Sequence, residues 1–180
     1  NDYENFVAAL VQSRIIPNAS QLWWAIRPSS RYPTLELRIA DACTHVEDSL
    51  CIANIYRCLI RAMVRLPDWG RERSNLTRLL IDENRWQAKR HGMAAEFVDV
   101  LQGSERKPLR EHWQALLEVI AEDAAYLGCE AQVKHAEKIF ERGSSAEQQL
   151  LVYRAACDNG ANRHEACRAT VRWLMEHSIS

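Results

Sequence analysis

The chain has 180 residues, of which 47% are hydrophobic and 26% are charged, and its formal net charge at pH 7 is −1. This size and composition predict a single domain, residues 1–180, with a sizeable core. The absence of a basic excess to neutralise phosphates argues against a general nucleic-acid binder. No apolar run reaches the roughly 18 residues of a membrane span, so we expect neither a membrane helix nor a signal peptide.

The six cysteines are spread along the chain, with no C-x-x-C pair and no dense framework. This spacing argues against disulfides and against a zinc site, and it predicts free thiols in a reducing cytoplasm. The cysteines are Cys43, Cys51, Cys58, Cys129, Cys157 and Cys167.

The first predicted element is a helix over residues 1–16, where apolar residues recur at helical spacing. Asp2 is the candidate cap at its start. Pro17 follows the helix and predicts its end, because proline disfavours the helical conformation in the residue before it.

Two strands joined by a turn are predicted next, at Leu22–Arg27 and Thr34–Ala40, with Pro28 and Pro33 on either side of the turn. Side chains along a strand alternate between the two faces, so Thr34, Glu36 and Arg38 share one face of the second strand. Apart from these polar residues, the two strands are apolar enough to be buried. This is the only clear sheet that the sequence predicts.

Helices are predicted for most of the remaining chain. The spacing of Thr44 and Glu47 predicts a capping box for a buried central helix that ends near Leu66. Met93 to Val100 reads as a loop or short strand. The other predicted helices are about Ser74–His91 with Gly92 as its C-cap, Pro108–Leu127, Glu130–Arg142, Ala146–Asp158 with Ser144 or Ser145 as its cap, and Asn162–His177 with Asn162 as its cap. The fold class is therefore α+β, mostly helical, with one antiparallel hairpin and about seven helices.

Glu36 and Arg38 are the first candidates for chemistry. One interpretation is an ion pair on a solvated sheet face, which contributes little to stability. The other is a metal-binding carboxylate beside a phosphate-binding guanidinium, with Arg27 on the opposite strand. Spacing alone favours the ion pair.

A second group lies on the predicted helix at residues 74–91. One interpretation of Asn84, Arg85, Trp86 and Arg90 is a solvated helix face anchored by the tryptophan, with Trp86 and Arg90 as neighbours. The other places Asn84 or Arg85 at an anionic ligand. None of the six histidines is paired with a nucleophile in a recognisable motif, and no glycine-rich phosphate loop is present.

Three segments resemble the type 2 glutamate–cysteine ligase family, also called carboxylate–amine ligases. The first is long and specific; the other two are weaker but occur in the same order. The resemblance covers about residues 3–178. The segments are WWAIRP (23–28) with YPTLELRIAD (32–41), NRWQAKRHG (84–92) and GSSAEQQ (143–149).

The resemblance implies ATP-dependent formation of an amide bond through an acyl phosphate, with ATP and Mg²⁺ as cofactors. An acidic amino acid such as glutamate would supply the carboxylate, cysteine or another amine would attack it, and glutathione biosynthesis would be the setting. By motif position Glu36 would bind the magnesium ion and Arg38 would stabilise the transferring phosphoryl group. The residues implied for substrate or nucleotide binding are Arg27, Thr34, Asn84, Arg85 and Arg90.

Members of this family are considerably longer, and the match is to the C-terminal half of a glutamine-synthetase-like ligase. The resemblance therefore implies a hairpin that belongs to a larger sheet, and an N-terminal half supplied in cis or in trans. It further implies a cytoplasmic enzyme, with a homodimer as its expected assembly and no turnover by this chain alone. A non-catalytic protein–protein interaction module, with Trp23, Trp24 and open strand edges at its surface, is the alternative, and a helical scaffold without a ligand is a third.

Overall fold

The computed structural model describes residues 1–69, 74–98 and 105–178. By its internal contacts the chain divides into two compact units, Asn1–Ala42 and Cys43–Ser180. The elements agree with the predicted class, because helices dominate and the strands form two small antiparallel hairpins. Among the described residues no helix is both long and apolar enough to cross a membrane.

The first unit begins with helix α1, Asp2–Gln12. Its cap is Asn1 and not Asp2 as predicted, because the Asn1 side chain accepts a hydrogen bond from the backbone N–H of Glu4 at 3.0 Å. The helix also ends earlier than residue 16. Arg14 has a φ of 60°, a left-handed conformation that turns the chain before Pro17 is reached.

Strands β1, Ile26–Pro28, and β2, Leu35–Leu37, form the hairpin of the first unit. They pair antiparallel with Arg27 opposite Glu36. Both strands are shorter than predicted. The N–H of Leu22 is not available to a sheet, because it closes the 3₁₀ turn Ala19–Gln21 by donating to the Ala19 carbonyl at 3.2 Å.

The two faces of the hairpin differ as the alternation predicts, with Arg27 and Glu36 on one face. The apolar face is less buried than the sequence suggested, because Ile26 is 45% exposed and Leu35 is 46% exposed. Within the described residues of its own unit, this ribbon of two three-residue strands has no second sheet layer to cover that face.

The described residues of the second unit form seven α-helices and the second hairpin. This hairpin was missing from the prediction, although residues 93–100 were assigned to a loop or short strand; residues 99 and 100 lie outside the described residues. The elements are α2 Val46–Arg65, α3 Asn75–His91, a 3₁₀ turn Gly92–Ala94, β3 Glu96–Val98, β4 Arg106–Pro108, α4 Leu109–Leu127, α5 Glu130–Lys134, α6 Ala136–Arg142, α7 Ser145–Asp158 and α8 Arg163–His177.

Helix α2 packs against α4, α5 and α6 and forms the core of this unit. Its buried stripe includes Cys51, Cys58 and Ala62, which follow one another at multiples of the helical repeat. The helix is central to the core, as predicted, but only one of its faces is buried, because Leu50, Met63 and Val64 are exposed. The core cluster consists of Cys51, Cys58, Ala62, Trp113, Ile120, Ala124, Cys129, Val133 and Ala136.

A buried carboxylate joins α4 to α2. Asp123 is fully buried and accepts hydrogen bonds from Arg61 at 2.5 Å and from Arg65 at 2.7 Å. Arg65 also donates to the Val119 carbonyl at 3.0 Å. The Arg65 guanidinium, and then that of Arg61, hold the pKa of the Asp123 carboxyl below its ordinary value although burial opposes the shift. The Asp123 carboxylate and the guanidiniums of Arg61 and Arg65 are therefore all charged in the folded protein.

Helix caps were predicted with mixed success. Ser144 and Asn162 cap α7 and α8 as predicted, and Ser74, predicted as the start of a helix, is the cap of α3. The capping box from Thr44 is wrong, because α2 begins after His45 without a side-chain cap. The Thr44 hydroxyl instead makes a short hydrogen bond with the hydroxyl of Ser145 at the start of α7, a contact between distant segments that local spacing cannot indicate.

Candidate functional site

Arg27 lies at the centre of the polar face of the β1–β2 hairpin. Its side chain is only 6% exposed. Nε and Nη2 donate to one oxygen, Oε2 of Glu36, at 3.0 and 2.8 Å. The hairpin register places the two residues directly opposite each other, so the contact follows from the pairing of the strands.

Glu36 receives a second cation. Arg38 Nη1 lies 3.3 Å from the same Oε2 atom of Glu36, as alternation along β2 predicts. The hydrogen bond from Arg27 is the main cause of a Glu36 pKa below its ordinary value; partial burial opposes this shift, and hydrogen bonds from Ser29 and Arg38 add to it. Glu36 is therefore a carboxylate at neutral pH, which is the form that binds a metal ion.

Arg38 is held from a second side by an aromatic ring. Its guanidinium carbon lies 4.8 Å from the centre of the Trp23 ring, within the range of a cation–π contact. Trp23 itself is 83% exposed, so this ring is oriented toward solvent as well as toward Arg38. Arg38 thus has an oriented guanidinium with a single long bond to Glu36.

Ser29 was missed as a member of this cluster. It follows β1 directly, and its backbone N–H donates to the Thr34 carbonyl at 2.8 Å across the turn. The pKa of the Glu36 carboxyl is lowered mainly by Arg27 and to a smaller extent by the Ser29 side chain. The signal that could have identified it is its position after Pro28, opposite the residue that precedes β2. Thr34, which was predicted as a ligand, is exposed at this turn.

Asn84 lies in the other unit, on α3, and its amide is already in use. Its Nδ2 donates to the Val98 carbonyl and its Oδ1 accepts from the Val98 N–H, both at 2.9 Å. A side-chain amide thus pairs with β3 as a neighbouring strand would. Arg85 and Arg90 are exposed on the same helix. The two guanidiniums are therefore accessible to solvent, whereas the amide of Asn84 joins α3 to β3.

The two weaker sequence segments that carry the resemblance meet in space. Glu147 Oε1 accepts a hydrogen bond from the backbone N–H of Met93 at 3.1 Å, directly after the segment that ends at Gly92. Its Oε2 accepts from the Ser144 N–H at 2.7 Å and from the Ser144 hydroxyl at 2.8 Å. The carboxylate of Glu147 therefore ties α7 to the turn after α3.

A divalent cation fits the hairpin cluster only in part. Glu36 offers one carboxylate, a hard oxygen ligand that suits Mg²⁺ when phosphate oxygens and waters complete the shell. Residues 1–69, 74–98 and 105–178 contain no group of three or more His, Cys, Asp and Glu side chains arranged to hold a metal ion. Within this described part of the chain, the hairpin cluster therefore offers one candidate metal ligand and not a complete cage.

Comparison with known proteins places these residues in a family context. The family model described as Glutamate-cysteine ligase family 2 (GCS2) matches residues 1–172. A protein of Rhodospirillum rubrum named "Putative glutamate--cysteine ligase 2" is 44% identical over 179 residues, covering 99% of this chain and 46% of the relative. Proteins with the same name from Bradyrhizobium diazoefficiens and Paracoccus denitrificans are 41% and 35% identical, over 40% and 46% of their lengths. The chain thus spans less than half the length of these relatives.

Proposed function

This chain belongs to the glutamate–cysteine ligase family 2, and on that premise we propose that it contributes a metal- and phosphate-binding hairpin to an ATP-dependent carboxylate–amine ligase. The reaction joins the carboxylate of an acidic amino acid to an amine through an acyl phosphate. Glutamate and cysteine are the substrates that the names of the relatives suggest. The observation that carries the proposal is the cluster of Glu36 and two guanidiniums on one face of the hairpin.

Each residue of the cluster has a defined task in this proposal. Bound Mg·ATP supplies the phosphoryl group that activates the substrate carboxylate. Glu36 holds the metal ion with its ionised carboxylate. Arg38 donates hydrogen bonds to the oxygen atoms on which negative charge develops, since phosphoryl transfer depends mainly on positioning and on positive charge. Thr34, next to β2, and the exposed Arg85 and Arg90 are proposed to contact substrate or nucleotide.

The test is substitution of Arg38 and Glu36 in the full-length protein, with ADP release measured in the presence of glutamate and cysteine. Arg38→Ala is expected to remove about 3 kcal/mol of transition-state stabilisation, which lowers kcat by about two powers of ten. Glu36→Gln is expected to raise the Mg²⁺ concentration needed for half-maximal rate, because a neutral amide is a poorer metal ligand than a carboxylate.

Arg31→Ala is the matched control, because Arg31 is an exposed arginine in the turn of the same hairpin. Its kcat and its Mg²⁺ dependence are expected to stay close to those of the unchanged protein. The proposal is wrong if ADP release survives Arg38→Ala and Glu36→Gln as well as it survives the control.

The remainder of the enzyme is also part of the proposal. More than half of each of these relatives lies outside the match, so we propose that further metal carboxylates and sheet strands come from that part, in cis or in trans. A homodimer in the cytoplasm is the proposed assembly. Alone, the 180 residues are expected to bind ligands without completing a turnover.

A second candidate is an interaction module without catalysis. The observation in its favour is the number of exposed apolar side chains on the hairpin unit, including Trp23, Ile26 and Leu35. Calorimetry of the chain separates the two candidates. Magnesium-dependent binding of ATP supports the ligase, whereas stable self-association without ATP binding supports the module.

A further inference from the structure

Arg27 differs from the other arginines of the hairpin in how completely its donors are used. Beyond its two bonds to Glu36, Nη1 donates to the carbonyl oxygens of Ala19 and Leu22, both at 3.2 Å, and makes a short hydrogen bond to the Ser20 carbonyl. A guanidinium has five N–H groups. One on Nε, two on Nη1 and at least one on Nη2 are occupied by the protein's own acceptors.

These acceptors come from two parts of the first unit. The three carbonyls belong to the 3₁₀ turn Ala19–Gln21 and to the residue after it, and the carboxylate belongs to β2. Four oxygen atoms that carry negative charge or partial negative charge would repel one another around an empty centre. The Arg27 guanidinium fills that centre as a fixed cation.

The burial of Arg27 argues against a role in binding a ligand. Arg27 is 6% exposed, whereas the Arg38 side chain is 29% exposed and has one bond of 3.3 Å to Glu36. A residue that binds an anionic substrate needs free donors at the surface. Arg38 has them, and Arg27 has at most one.

We infer that Arg27 is a positioning residue: it holds the Glu36 carboxylate and the Ala19–Leu22 carbonyls in one arrangement and does not contact the substrate carboxylate or the nucleotide. This inference rests on the proposed function for the role of Glu36. It replaces the interpretation of Arg27 as a substrate or nucleotide ligand. A lysine cannot take over the role, because one ammonium group does not reproduce the planar fork that reaches both sides.

The test compares Arg27→Met and Arg27→Lys with Arg31→Met as the control. The first measurement is amide hydrogen exchange at Gln21 and Leu22, whose N–H groups donate to Asn18 and Ala19 carbonyls at 3.3 and 3.2 Å. Both Arg27 variants are expected to exchange about tenfold faster at these two amides, since the turn loses the cation that holds its carbonyls. Arg31→Met is expected to leave the exchange unchanged.

The second measurement is binding in the full-length protein, with Mn²⁺ as a spectroscopic probe for Mg²⁺. Loss of a group that orients a metal ligand typically weakens metal binding by about 10- to 100-fold, and this is expected for both Arg27 variants. Binding of ATP in the absence of divalent metal and binding of glutamate are expected to stay within about twofold, as for a residue outside the contact with substrate.

The opposite pattern overturns the inference. If Arg27→Lys weakens glutamate or metal-free ATP binding while Gln21 and Leu22 exchange at the original rate, Arg27 is a ligand and not a positioning residue. Should Arg27→Met fail to fold by circular dichroism, Glu36→Gln replaces it. That change removes the charged partner of Arg27, and it must also raise exchange at Gln21 and Leu22 for the inference to stand.

Failure of the proposed function gives a different result. In that case the unchanged protein neither binds ATP with a divalent metal nor releases ADP with glutamate and cysteine. The exchange measurement remains informative then, because it concerns the link between Arg27 and the Ala19–Gln21 turn and needs no bound ligand.

Discussion

Glu147 shows how much a single side chain contributes when both of its oxygens are used. One oxygen closes the capping box of α7 and the other accepts from Met93, in a segment more than fifty residues earlier in the chain. Glu165 provides a natural comparison. It closes the capping box of α8 by accepting from the Asn162 N–H at 2.8 Å, and the structure shows this bond within the local turn.

We expect Glu147→Ala to lower the free energy of unfolding by more than Glu165→Ala. Both changes lose a cap worth about 1 kcal/mol, and Glu147→Ala in addition leaves the partly buried Met93 N–H without its acceptor, which adds about 1 kcal/mol or more. Urea unfolding of the two variants measures the difference. Equal losses would show that the Met93 contact does not stabilise the fold.

Trp23 and Trp24 are neighbours in sequence with different surroundings. Trp24 packs against Tyr3 and Phe6 of α1, with ring centres 5.7 and 5.5 Å away. Trp23 is mainly exposed and contacts the Arg38 guanidinium. We therefore assign Trp24 to the fold of the hairpin unit and Trp23 to the orientation of Arg38.

Trp23→Ala is expected to leave the thermal unfolding midpoint nearly unchanged. On the proposed function it is expected to lower kcat of the full-length protein by about two- to fivefold, from the loss of a cation–π contact of about 0.5–1 kcal/mol. Trp24→Ala is expected to lower the thermal unfolding midpoint more than it lowers kcat. Differential scanning calorimetry and ADP release measure the two effects. A Trp23→Ala variant with full activity would separate the aromatic ring from the function of Arg38.

Residue-scale chemistry was only partly accessible from the sequence. Alternation along β2 brought Glu36 and Arg38 to one face as predicted. The hydrogen bonds from Arg27 to backbone carbonyls were not predictable. They depend on the conformation of the loop around the Ala19–Gln21 turn, which no periodic sequence pattern indicates. The same reason applies to Asn84, whose partner Val98 lies fourteen residues later in the chain.

At the scale of elements, α2 and α4 are held together by a charged contact inside an apolar interface. Removal of the carboxylate in Asp123→Asn leaves Arg61 and Arg65 near a neutral group and is expected to cost about 3–5 kcal/mol of unfolding free energy. Glu122 is the matched control, because it pairs with the same arginines but is 63% exposed. Glu122→Gln is expected to cost less than about 1 kcal/mol. Urea unfolding at pH 7 distinguishes the two.

The same contact predicts a dependence of stability on pH. The pKa of Asp123 is lower in the folded protein than its ordinary value of 3.8, so the unfolded chain takes up the proton first as the solution becomes acidic. The stabilisation is complete well above pH 3.8, decreases as the pH falls through that value, and is lost below the folded pKa. We expect the difference in unfolding free energy between the unchanged protein and Asp123→Asn to shrink over this window. A constant difference down to the lowest accessible pH would contradict the assignment.

The thiols of the α2 interface are expected to be unreactive in the folded protein. Burial raises the pKa of Cys58 to about 12, with a further contribution from its contact with Cys129, whose sulfur is 3.7 Å away. Burial, and then the charge of Asp48, raises the pKa of Cys51 to about 11. Because the thiolate is the reactive form, these groups stay protonated near neutral pH.

Iodoacetamide labelling followed by mass spectrometry checks this prediction. The exposed Cys167 is expected to react first, whereas Cys51 and Cys58 react only after denaturation. Labelling of Cys58 at the rate of Cys167 in the folded protein would show that the α2–α4–α5 interface opens readily. Cys167→Ser provides the control for background modification.

Element boundaries were predictable where a local signal exists. Ser74, Ser144 and Asn162 are side-chain caps, and each marks a helix start in the structure. The break between α5 and α6 at His135 has neither proline nor glycine, and the β3–β4 hairpin has strands of three residues each. Such short elements depend on tertiary contacts rather than on a period of their own.

At the scale of the whole molecule, the expected activity depends on how much of its relatives' length this chain covers. The chain accounts for 46% of the Rhodospirillum rubrum relative, and in the proposed function its hairpin supplies one carboxylate to the metal ion. We expect the 180-residue chain to release no ADP above background with glutamate, cysteine and Mg·ATP, and we expect activity when it is joined to the additional sequence found in such relatives. Turnover by the chain alone would refute the proposed need for further metal ligands.

The close approach of Glu147 to two glycines restricts which substitutions this protein can accept at those positions. A β-carbon at Gly92 would lie 2.9 Å from Glu147 Oε1, and one at Gly143 would lie 3.2 Å from the Glu147 Cβ. Both glycines have positive φ, so a larger residue meets dihedral strain as well as a collision. Shortening the Glu147 side chain relieves the contact at Gly92, which is with the carboxylate, but not the contact at Gly143 with the Glu147 Cβ. The dihedral strain remains at both positions. We therefore expect the effects of Gly92→Ala and Glu147→Ala on the free energy of unfolding to be non-additive, with Gly92→Ala costing less in the Glu147→Ala background than in the native sequence.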